Sequence, residues 1–443
     1  KVTRLDAASD FFNLEAVPRR AITMGVGTIL AAKKIFMLAF SEGKSNIVKK
    51  AVEGPVDRNV AASFLQEHPN SQVVLDMPAA TQLTRIKSPW LLIGNSSNYQ
   101  LDFDERTMRR AVIWLSLHTN KPLLKLTEDD YIEANLTSLL NKYGPVHKLN
   151  VKVFAYLKST ITGWPGGKPG QEFINSGQQL PKLKFGGTTT RIPTDYVLEN
   201  YKHINPEVNP NIKNQIFPKR VLIFSPHPDD DVISMGGTMI RLVEQGHIVH
   251  VAYQTSGDIA VWDDDVRRFA NFATEFAKQF NLGGVEGFQK IEQGVEHFLD
   301  TKSAGQVDSA EIRKIKSLIR STEARSAARY TGVHSENIHF LELPFYETGT
   351  VKKKPLGEED VRIVAELLHK VQPHQIYAAG DLSDPHGTHR VCLQAVMKAL
   401  HVVKTEEWFK ECQLWLYRGA WQEWDPEDIE MAIPMSPQEL EQK

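Results

Sequence analysis

Cysteine is nearly missing from this chain of 443 residues: Cys392 and Cys412 are the only two. Their spacing fits no metal motif, and a structural disulfide is not expected, so the composition suits a reducing, cytoplasmic compartment. Also missing is any apolar run near the ~20 residues of a membrane-spanning helix. The longest candidate, Ile35 to Phe40, reads as a buried strand. An excess of one charge is lacking too. Lys and Arg number 52 against 54 Asp and Glu, a net charge of −2. Nothing electrostatic therefore calls for nucleic acid or an anionic membrane as partner. The N-terminus, Lys1, shows neither an initiator Met nor a signal-peptide pattern, so the chain is expected to begin inside a longer protein. What is present is 41% hydrophobic and 24% charged, ordinary for a globular protein. The length makes about three domains a fair expectation.

The most telling polar residues gather in one stretch. Arg220 to Gly237 reads RVLIFSPHPDDDVISMGG. Val221 to Phe224 is an apolar run of strand length that stops at Ser225-Pro226. His227, Asp229, Asp230 and Asp231 follow, broken only by Pro228. Gly236-Gly237 then opens a segment of helical period, with Met239, Ile240, Leu242 and Val243 apolar. Strand, polar loop and helix in that order is where an α/β sheet places its chemistry, at the carboxyl end of the strand. One imidazole and three carboxylates so close together point to a divalent metal. Imidazole nitrogen and carboxylate oxygen are zinc ligands, and a catalytic zinc has three protein ligands plus water.

A further ligand is available downstream. Gln375 to Ala379 reads as another strand and runs into GDLSDPHGTHR, Gly380 to Arg390. His386 and His389 lie three apart, and Val391, Leu393, Val396 and Leu400 give a helix from near His389. Two strand ends of a parallel sheet would bring His227, Asp230 and His389 together. Either motif alone is also what a capped turn or incidental loop histidines look like. The pair, in matching contexts, points to a metal site.

PHPDDD followed by HGTH resembles the PIG-L/LmbE-type zinc-dependent N-deacetylases, which act on N-acetylglucosamine-containing molecules. The similarity runs from roughly Lys219 to Trp421. It implies metal ligation by His227, Asp230 and His389, with Zn2+ or another divalent ion as cofactor. It implies Asp229 as general base and His386 as the group that polarises or protonates near the tetrahedral centre. Asp231 stands where the family usually has Glu, and the shorter side chain is expected to support the loop less well. Ser256 and Asp258 follow the second strand, in VHVAYQTSGD, and are expected to face the same pocket. Ile319 to Val333 matches a family helix that carries Arg320 and Glu323 near the pocket; a surface ion pair between the two is the plainer reading. Asp231, Ser256, Asp258, Arg320 and Glu323 are therefore the candidate substrate contacts.

The N-terminal stretch alternates in α/β fashion, and Gly43-Lys44 opens a helix there. Helix N-terminal amides and an ammonium both favour phosphate, although a plain glycine turn with a solvated lysine suits the local pattern better. The wider run, MGVGTIL, SEGKSN, AVEGPV, ASFLQEHP and LDMPAA, resembles the C-terminal part of glucosamine-6-phosphate deaminase over roughly Val2 to Leu83. That resemblance implies a sugar-phosphate contact for Lys44. Asp10 stands where the family has a phosphate-contacting Arg, and the family's catalytic acids and ring-opening His lie upstream of the matching region. This chain is thus not expected to deaminate.

Between the two parts, Met108 to His118 reads as an amphipathic helix. A second runs from Thr127, with a capping-box start, to Gly144, and a third from Leu149 to Ile161. WPGGKPG, Trp164 to Gly170, begins a Gly-, Pro-, Asn- and Thr-rich tether through residue 217. Asp263 to Asp265 suit a solvated helix start. Phe269, Phe272, Phe276 and Phe280 recur at helical spacing, as core or as a lid on the domain. The residues after Asp425 are expected to fray.

The fold class is α/β: a doubly wound, mostly parallel sheet with a partial sugar-isomerase-like α/β segment and a helical connector. The expected boundaries are a deaminase-like part over 1–95, the connector and linker over 96–215, the deacetylase domain over 216–425 and a tail over 426–443. The expected function is metal-dependent removal of an N-acetyl group from an N-acetylglucosamine-type amino sugar or its 6-phosphate, in amino-sugar catabolism. The partner is that small molecule, with homo-oligomerisation left open. Two alternatives stand: a non-catalytic sugar-binding or scaffold protein, and deamination by a longer native chain.

Overall fold

The computed structural model describes residues 17–20, 22–92, 101–166, 216–303, 306–349, 353–384 and 387–443. Asp10, His386 and most of the tether lie outside these residues.

Two parallel strands, β1 (Ile35–Ala39) and β2 (Ser71–Leu75), pair in the N-terminal stretch, with helix α1 (Ser45–Val52) between them in sequence. The apolar run from Ile35 is not the buried strand expected of it. Phe36, Leu38 and Phe40 are exposed, because a two-stranded sheet has one face with nothing against it among the described residues. Helices α2 (Glu105–Thr119), α3 (Glu128–Glu133), α4 (Thr137–Tyr143) and α5 (Val146–Thr160) follow around a core of their own, centred on Met108, Tyr131 and Leu149. Thr127 and Asp130 form the expected capping box, but the helix expected to run on to Gly144 is two. Asn135 sits between them with φ 58, a left-handed conformation that ends the first helix.

Five parallel strands carry the rest. They are β3 (Arg220–Ser225), β4 (Ile248–Tyr253), β5 (Ile338–Phe340), β6 (Gln375–Ala379) and β7 (Gln413–Tyr417), in the order β5-β4-β3-β6-β7. Strand β3 is central because it is apolar on both faces. Leu222 and Phe224 enter one core with helices α10 (Glu358–Val371) and α11 (Thr388–Val403). Val221 and Ile223 enter the other with α6 (Asp230–Glu244) and α9 (Ala310–Tyr330). The chain winds outward from β3 to β5 and then returns to β6 on the other side of β3. Strand order therefore reverses between β3 and β6, and the crevice beyond the carboxyl ends at such a reversal is where open α/β sheets bind ligands.

Helix α6 starts at Asp230, not at Gly236-Gly237. The acids of the motif are its first turn, where the positive end of the helix dipole favours carboxylates. The two glycines serve a contact further along. A Cβ on Gly237 would lie 1.9 Å from the Met435 sulfur, so glycine there makes room for the Met435 side chain of the C-terminal segment. That segment does not fray. Asp425, Glu427 and Asp428 pair with Lys87, Arg110 and Arg106. Ala432 bridges Ile161, and Glu439 of α12 (Pro437–Gln442) accepts Nε and Nη2 of Arg241.

Candidate metal centre and active site

Ser225, the last residue of β3, sets the geometry of the loop. Its hydroxyl donates to the His227 carbonyl at 2.5 Å and accepts the Asp231 amide at 3.0 Å. The turn so closed lets Asp230 Oδ2 accept the His227 amide at 2.9 Å, with His227 Nδ1 3.1 Å away. Across the β3–β6 seam, α11 begins at Thr388, anchored by its amide on Asp384 at 2.7 Å. His389, in its first turn, is fully buried and points Nε2 at the same Asp230 oxygen, 3.1 Å away. The ligand atoms of His227, Asp230 and His389 all lie within 4.8 Å of one another.

This set fits a divalent cation. His389 Nε2 is buried and makes no well-formed hydrogen bond among the described residues, while Nδ1 is held 3.0 Å from Asp381. A ligating histidine characteristically gives its other ring nitrogen to a carboxylate. Two nitrogens and one oxygen also match the donors of an open catalytic zinc site. Burial alone would raise the Asp230 carboxyl, but its contacts with His227 and His389 outweigh this and hold it well below the usual range. Burial opposes charge on His389, and Asp230 and Asp381 together raise it to about 10.

Asp229 and Asp230 are sequence neighbours that face different partners. Asp229 is half-exposed and takes Arg320 Nη2 at 3.0 Å. Arg320 prefers this partner to Glu323, which is 4.0 Å away and largely exposed. Gly257 makes the arrangement possible: with φ 64, its missing Cβ would lie 2.9 Å from Pro228 and 3.2 Å from Arg320 Nε. Asp231 is not at the surface of the pocket. It lies fully buried behind the loop, where it accepts the Tyr253 hydroxyl at 2.8 Å, and burial pushes its carboxyl up to about 6. Ser256 is held by Glu347, through both its amide and its hydroxyl. Asp258 is buried, its Oδ1 has no hydrogen bond among the described residues, and burial raises its carboxyl. Lys44 is exposed in a turn, and its neighbour Glu42 pairs with Arg418 at 3.4 Å. His386 lies outside the described residues.

Three residues of this neighbourhood were not singled out from the sequence. Asp381 holds His389 and also accepts the amides of Ala420 and Trp421. Its signal was available: a carboxylate at the end of β6, in the same loop as a candidate ligand. Tyr346 stacks edge-on to His227 at 5.9 Å, and Lys353 sits 3.4 Å above the Tyr346 ring. Burial lowers the Lys353 ammonium to about 8. Nothing in the local sequence marks either of these two.

Residues 222–400 match the family described as PIG-L: GlcNAc-PI de-N-acetylase. A glucosamine-6-phosphate deaminase-like protein of Bacteroides thetaiotaomicron is 45% identical over all 443 residues, which cover 61% of that protein. The chain thus spans about three fifths of this relative's length. The glucosamine-6-phosphate deaminase of Lacticaseibacillus paracasei is 50% identical over 82 residues, 18% of this chain and 35% of that enzyme. Its counterpart in Mycoplasmopsis pulmonis is 45% identical over 97 residues, 20% and 38% of the two chains. The molecule therefore joins a PIG-L domain to a glucosamine-6-phosphate deaminase-like N-terminal region.

Proposed function

We propose that this chain is a metal-dependent hydrolase that removes the N-acetyl group from an N-acetylglucosamine-type amino sugar or its 6-phosphate. One observation carries the reading. At the reversal of strand order, a His-Asp-His set lies beside a second carboxylate, Asp229, that faces elsewhere. His227, Asp230 and His389 would hold the ion. When bound there, a divalent ion, zinc by the donor set, supplies a Lewis acid and lowers the pKa of a water. Asp229 accepts the proton of the attacking water as its oxygen adds to the amide carbon. The C–N bond then breaks, and Asp229 returns the proton to the departing amine. Acetate and the free amino sugar leave. Arg320 positions Asp229 for both transfers, and Asp381 fixes the His389 ring. His386 takes the role of polarising or protonating near the tetrahedral centre. Asp231 acts from behind, by fixing the loop through Tyr253.

The substrate class follows from the two parts together. Deacetylation yields the free amine that a glucosamine-6-phosphate deaminase consumes, so a chain joining the two places consecutive steps side by side, in the cytoplasm. Lys44 is the proposed phosphate contact of the N-terminal part. The test is paired: metal per chain, and acetate released from N-acetylglucosamine and its 6-phosphate. Asp230→Ala should lose both metal and activity. Asp229→Asn should keep metal and lose on the order of a hundredfold or more in turnover, the range of general acid–base catalysis. Wild-type protein that takes up no divalent metal and releases no acetate would leave the non-catalytic sugar-binding reading as the better one.

A further inference from the structure

The Asp381 carboxylate that holds the His389 ring is itself held from the end of β7. Gly380, the residue before it, is tied on both sides. Its amide donates to the Tyr417 carbonyl at 2.6 Å, and its carbonyl accepts Arg418 Nε at 3.0 Å. Asp381 Oδ2 accepts the amides of Ala420 and Trp421 at 3.1 and 3.0 Å, which leaves Oδ1 for His389 Nδ1 at 3.0 Å. The fit is close, because a Cβ on Gly380 would lie 3.0 Å from the Trp424 ring. The position of the carboxylate therefore follows the loop after Tyr417, and Arg418 pins that loop to Gly380.

Arg418 has a second hold, on the other part of the chain. Its guanidinium lies 4.0 Å from the centre of the Trp424 ring, and Nη1 donates to Glu42 Oε1 at 3.4 Å, across 376 residues of sequence. Glu42 belongs to the deaminase-like region. It opens a single helical turn, Glu42–Lys44, and the residue before it, Ser41, has φ 77. A residue other than glycine keeps such a conformation only where its surroundings impose it. Asp76, just after β2, does so here. Both its carboxylate oxygens lie 3.1 Å from the Ser41 amide, and Oδ1 also accepts the Ala79 amide at 2.9 Å. Glu42 is thus aimed at Arg418 from the β1–β2 sheet. The pair differs from an exposed ion pair, which contributes little: only 8% of the Arg418 side chain and 20% of the Glu42 side chain are exposed. Burial raises the Glu42 carboxyl, and Arg418 opposes the rise. Removing one partner of a buried pair strands the other charge, which is the costly change.

We propose that Arg418 is a positioning residue of the metal centre and that Glu42 anchors it, so that the deaminase-like region sets how tightly the PIG-L domain holds its ion. The contacts run from Glu42 through Arg418 and Gly380–Asp381 to His389. The inference rests on the metal site proposed above. Its readout is the zinc affinity of the full chain, measured by competition against a chelator, with the melt of the metal-free protein alongside. Arg418→Lys keeps the charge but loses the planar fork that spans Gly380 and Glu42. It should weaken zinc on the order of tenfold, as loss of support behind a ligating histidine does. Glu42→Gln keeps the shape without the charge and should weaken zinc about fivefold, the low end of coupling between distinct sites. In an Asp381→Asn background, Arg418→Lys should cost little more, because residues that act through one another are not additive. A role in folding alone would lower the melt and leave the zinc affinity of the folded protein unchanged. Should Arg418→Lys melt early, the milder Glu42→Gln reads the same coupling. A folded Glu42→Gln with wild-type zinc affinity overturns the proposal. So does an undiminished further loss from Arg418→Lys in Asp381→Asn. Wild type that takes up no zinc overturns the metal site and this inference together, whereas unaffected variants of a zinc-binding wild type overturn the inference alone.

Discussion

At the amino ends of the central strands, His247 and His374 turn Nδ1 toward the backbone amides of Lys219 and Arg220, at 3.1 and 3.0 Å. At the carboxyl ends, His227 and His389 turn toward carboxylates instead. His250 and His339, on neighbouring strands, stack with ring nitrogens 3.1 Å apart and no acid between them. Burial lowers His247, His250, His339 and His374 to about 4, so that they stay neutral. His389 is more buried still and moves the other way. What separates the two ends is the partner, not the depth. An orphaned ring nitrogen is not diagnostic either. His247 Nε2 and His389 Nε2 both lack a hydrogen bond among the described residues. Gly166 lies so close to His247 that a Cβ there would be 2.2 Å from Nε2, so peptide covers that nitrogen. Beside the His389 nitrogen stand a carboxylate and a second imidazole.

The largest expected effect breaks the pair of ends apart. His389→Ala removes a proposed ligand, and a bound metal is worth several kcal/mol of transition-state stabilisation. At ~1.4 kcal/mol per tenfold, acetate release should fall by on the order of a thousandfold or more, together with zinc per chain. His374→Ala should leave zinc per chain at the wild-type value. Equal metal loss in both variants would mean that the two ends are not chemically distinct. A smaller effect tests the support beneath the ligand. Asp381→Asn keeps the shape but removes the charge facing His389 Nδ1, and such partners are worth roughly 10–100-fold in metal affinity. Competition against a zinc chelator measures this, and wild-type affinity in Asp381→Asn would remove Asp381 from the account.

The same contrast explains what could be read in advance. Strands β3 and β6 and the polar runs after them are local patterns, and the sheet that brings them together follows from strand-loop-helix alternation. Asp381 is different. It gains meaning only when the β6–α11 loop folds back to set it beside His389, eight residues later. Helix α6 starts earlier than Gly236-Gly237 because Asp230 and Asp231, which look like loop residues, serve as a helical first turn. The C-terminal segment is held rather than frayed for a related reason. Its acids are matched by Lys87, Arg106 and Arg110, more than 300 residues away in sequence, and such pairing leaves no local trace. Helical spacing puts Phe269, Phe272, Phe276 and Phe280 on one face of α7 (Asp263–Gln279), the helix paired with α8 (Val285–Thr301). The core or lid packing expected of them is not what the structure shows: all four are exposed, because periodicity cannot say whether anything covers a face.

The smallest expected effect concerns the amino-end histidines and is a matter of pH. The folded values of His247 and His374, about 4, lie below the ordinary 6.5. Between those two values the unfolded chain binds protons that the folded chain refuses. Their contribution to stability is therefore complete above 6.5 and is lost as pH falls toward 4. Asp231, raised to about 6, and Glu430, raised to about 7, titrate near the same window, so the quantity that reports His374 is the difference in slope between wild type and a His374 variant melted under identical conditions. His374→Asn supplies an oxygen that can still accept the Arg220 amide and does not titrate. It should melt slightly below wild type at neutral pH, through imperfect packing, and lose less on acidification. The difference in slope should amount to a few degrees across the window, at roughly 2–4 °C per kcal/mol for a domain of this size. Identical slopes would show that His374 titrates alike in the folded and unfolded chains. Burial would then not hold His374 neutral below 6.5, and depth would no longer be the common term against which the two ends are compared.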